Sequence, residues 1–141
     1  MNPDRPNLPG ELTIRVYYED TDTGGVVYYA NYLKFFERGR TEWLRALGMD
    51  QHTLATQEQM IFVVKHADIA YRQPARLDDC ILVRTSVTGL GASTIRFGQQ
   101  ALRGDTLLAT ADIQICTVHA QSFKPIRLSP SIRNQLERAL H

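Results

Sequence analysis

Two cysteines in 141 residues, Cys80 and Cys116, are too few for a disulfide framework, and neither has the ligand spacing of a metal site. Each falls in a stretch that reads as strand with no helix start before it, so both are expected as reduced core thiols rather than nucleophiles. An excess of charge of one sign is missing too. The 16 basic and 15 acidic residues leave a formal net charge of +1, which gives no field to draw the chain to nucleic acid or an anionic membrane. No apolar run approaches the ~20 residues of a membrane span, so an integral membrane protein is not expected. The proline-rich start Met1-Asn2-Pro3-Asp4-Arg5-Pro6-Asn7-Leu8-Pro9-Gly10 lacks the apolar core of a signal peptide and reads as a flexible arm over residues 1–10. These absences point to a cytoplasmic location. Ser86, Ser93 and Ser122 stand outside any G-x-S-x-G elbow, and Gly89-Leu90-Gly91 lacks the third glycine of a dinucleotide fingerprint. None of His52, His66, His119 and His141 sits beside a serine or cysteine in a nucleophile pattern.

What remains is enough apolar residue, 43% of the chain, for one substantial core, with no repeat and no second domain. Ile14, Val16 and Tyr18 alternate with Thr13, Arg15 and Tyr17, the period of a strand that ends near Tyr18. The period then changes. From Tyr29 the apolar positions Tyr32, Leu33, Phe36, Trp43, Leu44 and Leu47 recur at helical spacing, and Gly48 offers a stop. Gly39 lies inside this helix at a cost of about 1 kcal/mol relative to alanine, which implies a close approach to a sheet. After a polar stretch, Ile61, Val63, Ala67, Ile69 and Tyr71 alternate in an extended run that stops before Pro74. Strands over 80–88, 93–102 and 107–119 follow, with turns at Gly89-Leu90-Gly91 and Arg103-Gly104-Asp105. Ser129-Pro130 reads as an N-cap and first-turn proline opening a short helix over 129–141. The expected architecture is α+β: one strand, one long helix and a four-strand meander, forming an antiparallel sheet of about five strands wrapped around the helix.

The chemistry concentrates between the first strand and the helix. Asp22 falls in the loop, Gly24-Gly25 permits a tight turn, and the helix begins close to Tyr29. The first turn of a helix has free N–H groups and partial positive charge. A carbonyl held there would be polarised by backbone donors while Asp22 faced its carbon, the pairing that ester or thioester hydrolysis needs. Taken alone, such a loop has plainer readings. Asp20 or Asp22 can cap a turn, Asp20 reads as a structural loop residue, and Tyr18, Tyr28, Tyr29 and Tyr32 read as packing residues through their rings. Glu19, Asp20 and Asp22 have no histidine nearby, so no metal site is expected.

The run Arg15-Val16, Thr21-Asp22, Gly25-Val26-Val27 and Asn31-Tyr32, continued by Phe36-Glu37-Arg38 and Arg40-Thr41-Glu42, resembles the signature of the 4-hydroxybenzoyl-CoA thioesterase family of hotdog-fold proteins. It is most similar to the branch associated with the Tol–Pal cell-envelope system. Phe62-Val63-Val64 and Tyr71-Arg72-Gln73-Pro74-Ala75-Arg76-Leu77-Asp78-Asp79 extend the resemblance over roughly residues 12 to 132. It implies a single hotdog domain over 1–141, hydrolysis of an acyl-CoA thioester without a cofactor, coenzyme A being part of the substrate, and assembly as a homodimer or homotetramer with sites at the dimer interface. Asp22 and Tyr29 take the catalytic positions, and Gly25, Val26 and Tyr18 the substrate-binding ones. Members of the Tol–Pal branch often carry histidine where this chain has Tyr29. Tyrosine resembles the 4-hydroxybenzoyl-CoA thioesterases, in which the aligned residue contributes its backbone N–H. The resemblance also implies Tol–Pal or lipid-synthesis proteins as partners, with a non-enzymatic acyl-binding or scaffold protein of the same system as the alternative.

Overall fold

The computed structural model describes residues 7–49 and 51–140. Of the expected N-terminal arm, residues 1–6 lie outside the described residues. Residues 7–10 lead into β1 (Glu11–Arg15), and the Gly10 carbonyl accepts a hydrogen bond from Thr85 N–H at 2.8 Å. Strand β1 ends three residues before the expected Tyr18. The alternation in sequence continues, but Tyr17 and Tyr18 point to solvent, and the chain closes a single 3-10 turn, Tyr18–Asp20, held by the Asp20 carboxylate.

Helix α1 (Asn31–Ala46) buries Tyr32, Phe35, Phe36, Trp43 and Leu44 against the sheet, whereas Leu33, read as a core position, is 46% exposed. The helix ends where Gly48 takes φ +84°, with Gly48 N–H bonded to the Arg45 carbonyl and Met49 N–H to the Leu44 carbonyl. That pair of bonds is a Schellman stop. Gly39 meets the sheet as its sequence position implies, because a Cβ there would lie 2.7 Å from Val83 Cγ1 and 2.9 Å from Thr85 Oγ1. Around it every buried polar group of Gln99 is used. Gln99 Oε1 accepts from Arg40 Nη1 at 3.0 Å, and its amide donates to the Phe36 carbonyl at 2.9 Å and to Thr85 Oγ1 at 2.8 Å. Burial lowers the Arg40 guanidinium below the usual arginine value, against the attraction of Glu37. A short helix α2 (Gln51–Gln57) occupies the stretch that reads only as polar in sequence.

The strands β2 (Met60–Tyr71), β3 (Cys80–Leu90), β4 (Thr94–Arg103) and β5 (Thr106–His119) join β1 in one antiparallel sheet of order β1-β3-β4-β5-β2. The expected four-strand meander is therefore three strands, β3 to β5. Strand β2 pairs with β5 instead of β3, because β1 already occupies that side of β3. Residues 72–79 carry the chain across the sheet end. They are tied down by bonds from Arg72 and Gln73 N–H to the Leu108 carbonyl and from Val16 N–H to the Asp79 carbonyl. The turn after β3 also falls later than expected, with Gly89 and Leu90 paired to Arg96 and Ile95 inside the ladder.

A bulge at Lys65 divides β2. One extra residue reverses the alternation, so Phe62 and Val64 share the helix-facing side with Ala67, Ile69 and Tyr71, while Ile61 and Val63 turn outward. The two cysteines are likewise not core residues. Cys80 pairs with Arg15 and Cys116 with Val63 on the side of the sheet away from α1, each partly exposed and unbridged. Helix α3 (Pro130–Arg138) begins after Ser129, whose hydroxyl accepts from Ile132 N–H, and buries Ile132 and Leu136; His141 lies outside the described residues.

Candidate active site

Asp22 begins the tip of a small hairpin in which Thr21 pairs with Val27. Asp22 N–H bonds to the Val26 carbonyl at 2.9 Å, and Gly25 N–H to the Asp22 carbonyl at 3.0 Å. Gly25 takes φ +78°, the left-handed residue that closes a three-residue hairpin loop and that a side chain would strain. Gly24 N–H donates to Asp22 Oδ1 at 2.8 Å, fixing the carboxylate while Oδ2 bonds no other group among the described residues. The carboxylate is exposed, as are Gly24 and Gly25, and Val26 is half-buried with a bridge to Arg76. The 3-10 turn puts Tyr18 elsewhere. It is 80% exposed and lines a hollow with Arg15, Tyr17, Glu19, Leu77 and Asp78.

Asp20, two residues from Asp22, is buried and locks the hairpin to the helix. Its Oδ2 accepts from Tyr17 N–H at 2.9 Å, its Oδ1 from Asn31 Nδ2 at 2.6 Å, and its carbonyl from Tyr28 N–H at 2.9 Å. Asn31 is the first residue of α1, so one carboxylate sets the angle at which the helix leaves the loop. An asparagine at a helix start is a residue type that often bonds nearby groups, and this was the signal in sequence that could have identified it.

Helix α1 begins two residues later than Tyr29, with Ala30 as an N-cap whose side chain offers no acceptor. Asn31, Tyr32 and Leu33 N–H bond to the carbonyls of Tyr28, Tyr29 and Ala30. The N–H groups of Tyr29 and Ala30 have no acceptor among the described residues. Two unpaired donors at the positive end of a sixteen-residue helix suit a developing negative charge.

Aromatic rings surround these donors. Tyr29 stacks at a tilt on Tyr28 with centroids 4.8 Å apart, and Tyr71, the last residue of β2, stands edge-on to Tyr29 at 6.1 Å and to Tyr32 at 5.6 Å. Tyr71 donates its hydroxyl to the Tyr29 carbonyl at 3.0 Å. This tie spans 42 residues, and no local pattern in sequence announces it. Burial, reinforced by the Tyr29 phenol, holds Tyr71 above the ordinary phenol value, and the Tyr29 hydroxyl raises that of Tyr28. Tyr32 is pushed up to about 12, chiefly by burial. Its hydroxyl is enclosed and unpartnered.

A five-stranded antiparallel sheet closed on one long helix, with an acid-bearing hairpin leading into an uncapped helix start, defines a hotdog-fold protein of the thioesterase kind. The sequence profile of the thioesterase-like superfamily matches residues 16–136, and the chain belongs to that superfamily. It is similar to the acyl-CoA thioesterase YbgC of Haemophilus influenzae, with 44% identity over 120 residues that cover 85% of this chain and 88% of that protein. The acyl-CoA thioester hydrolase YbgC of Escherichia coli is 42% identical over 84% of this chain and 89% of its own. Among solved structures, a probable thioesterase from Bartonella henselae superposes with a TM-score of 0.81 at 38% identity, covering 84% of this chain and 98% of that one.

Proposed function

We propose that this thioesterase hydrolyses an acyl-CoA thioester, with the carbonyl oxygen bound at the start of α1 and Asp22 acting on the carbonyl carbon. The observation that carries the reading is the pair of unpaired N–H groups at Tyr29 and Ala30 beside a hairpin that presents one free carboxylate oxygen. The names of the Haemophilus and Escherichia relatives supply the substrate class. As the thioester carbon becomes tetrahedral, its oxygen gains charge that the donors stabilise. Removal of one such donor typically costs ~3 to 4 kcal/mol of transition-state stabilisation. Asp22 Oδ2 either attacks the carbon to give a mixed anhydride that water opens, or takes a proton from a water that attacks in one step; both routes release the thiol of coenzyme A. In this reading the Tyr29 side chain has no part, Gly25 and Val26 shape the floor of the site, and Tyr18 meets substrate only from its outward position.

The acyl group extends along α1 beside β2. A cavity of ≈ 90 Å³ lies there, lined by Leu44, Phe62, Val64, Ile95 and Ile115 together with polar residues that include Glu37 and Arg40. Strand β2 is a twelve-residue edge strand with no partner on its outer side, an arrangement that suits pairing with a second copy, and the site is proposed to be completed across that edge in a homodimer or homotetramer. Among the described residues no helix is long and apolar enough to cross a membrane. A cytoplasmic location is proposed from the charge balance and the missing apolar runs of the sequence, and a link to Tol–Pal or lipid-synthesis proteins from the family resemblance. Thiol release from a panel of aliphatic and aromatic acyl-CoAs tests the function: turnover of at least one class is expected, and turnover of none would favour an acyl-binding or scaffold role.

A further inference from the structure

We propose that Tyr71 aims and polarises the Ala30 N–H as a second donor to the thioester oxygen, acting through the Tyr29–Ala30 peptide. This rests on the thioesterase reading above and names a positioning residue for it. A trans peptide is a rigid plane whose C=O and N–H point in opposite directions. Whatever fixes the oxygen of Tyr29 therefore fixes the direction of the Ala30 N–H. Tyr71 Oη donates to that oxygen at 3.0 Å, and the other bond to it, from Tyr32 N–H, is a longer 3.3 Å. On the opposite side of the plane the Ala30 N–H has no acceptor among the described residues.

The tyrosine is itself well held. The two residues after it, Arg72 and Gln73, both donate to the Leu108 carbonyl at 2.8 and 3.2 Å, and its ring is wedged edge-on against Tyr29 and Tyr32. Its partner is a carbonyl oxygen, which carries no hydrogen, so in this bond the hydroxyl donates. A bond donated to a peptide oxygen withdraws charge from the attached nitrogen and strengthens its N–H as a donor, by ~10–30% per bond. Charge on the thioester oxygen grows only in the transition state, so the effect belongs to turnover rather than to substrate binding.

Two substitutions test this together. Tyr71→Phe keeps the ring and removes the donor. Ala30→Pro removes the second N–H itself, at a residue whose φ of −68° the proline ring accepts and whose N–H holds nothing in the fold. Tyr71→Phe is expected to lower kcat about two- to eightfold, ~10–30% of the free energy one such donor contributes, with KM unchanged. In the ligand-free protein the Ala30 amide proton resonance should move upfield. Ala30→Pro should lose at least as much, and adding Tyr71→Phe to it should lose nothing further. Losses that multiply, a rise in KM at constant kcat, or an unmoved Ala30 resonance would each overturn the proposal while leaving the thioesterase reading intact. A wild-type protein that hydrolyses no acyl-CoA would overturn both, and that result is visible before any variant is made.

Discussion

The start and the middle of helix α1 treat their polar groups in opposite ways. At its middle, the Gln99 amide uses both donors on Phe36 and Thr85 and its oxygen accepts from Arg40, and Gly39 brings the backbone against the sheet. At its start, two N–H groups have no acceptor among the described residues, the N-cap is an alanine, and the enclosed Tyr32 hydroxyl has no partner among them either. An unsatisfied buried polar group costs about 1–3 kcal/mol, so at the Tyr32 hydroxyl the fold tolerates what it avoids at Gln99. The lesson is a division of labour along a single element: the middle fixes the helix, and the start is where the proposed mechanism binds the thioester oxygen.

Substitutions that affect one region and spare the other sharpen this division. The largest effect is expected from Asp22→Asn, which preserves shape but neither attacks nor accepts a proton well. Turnover should fall by ~100-fold or more with little change in melting temperature, and near-wild-type rates would remove Asp22 from the chemistry. Gln99→Leu should do the converse. It strands the buried Arg40 guanidinium, so urea unfolding is expected to show a loss of about 2–4 kcal/mol, while kcat per folded molecule stays constant. A parallel fall in kcat would show that the middle of the helix also tunes the site.

Tyr32→Phe probes the enclosed hydroxyl through pH. The folded state holds the Tyr32 proton up to about 12, whereas an unfolded tyrosine gives it up near pH 10. Stability is therefore intact below pH 10 and lost as pH rises through the folded value, by up to about 2–3 kcal/mol. The phenylalanine variant should lack this alkaline decline when compared with wild type by denaturant titration at pH 8 and 11. An identical decline in both would assign it to other groups. The smallest effect is expected from Tyr29→Phe, which retains the backbone N–H and the ring. Steady-state rates close to wild type support the backbone role, and a ~100-fold loss would transfer that role to the phenol.

Local pattern carried most of the fold and the centre of the proposed site. The Asp22 to Gly25 turn, the amphipathic face of α1, the Gly39 approach and the Gly48 stop are all set by neighbours in the chain. Boundaries were harder, because Val16-Tyr17-Tyr18 keeps the apolar alternation of a strand after Asp20 has bent the backbone away, and because Ala30 adopts helical angles before the first helical residue. The face of β2 was misread for a different reason. A single extra residue at Lys65 reverses the alternation without leaving a glycine or proline to mark it. Pairing of β2 with β5, and the reach of Tyr71 to the Tyr29 carbonyl, depend on chain crossings that no window of neighbouring residues contains.

The Gln99 bonds also set a timetable for the chain as it is made. Gln99 lies 59 residues after Arg40 and 63 after Phe36, so α1 leaves the ribosome after β1 but long before β3 and β4, which complete its seat, exist. At the ~5–20 residues per second of synthesis the wait is about 3 to 12 s, during which the Phe35, Phe36, Trp43 and Leu44 face has no sheet to cover it. A helix formed this early therefore holds its apolar face in water until β3 and β4 follow it.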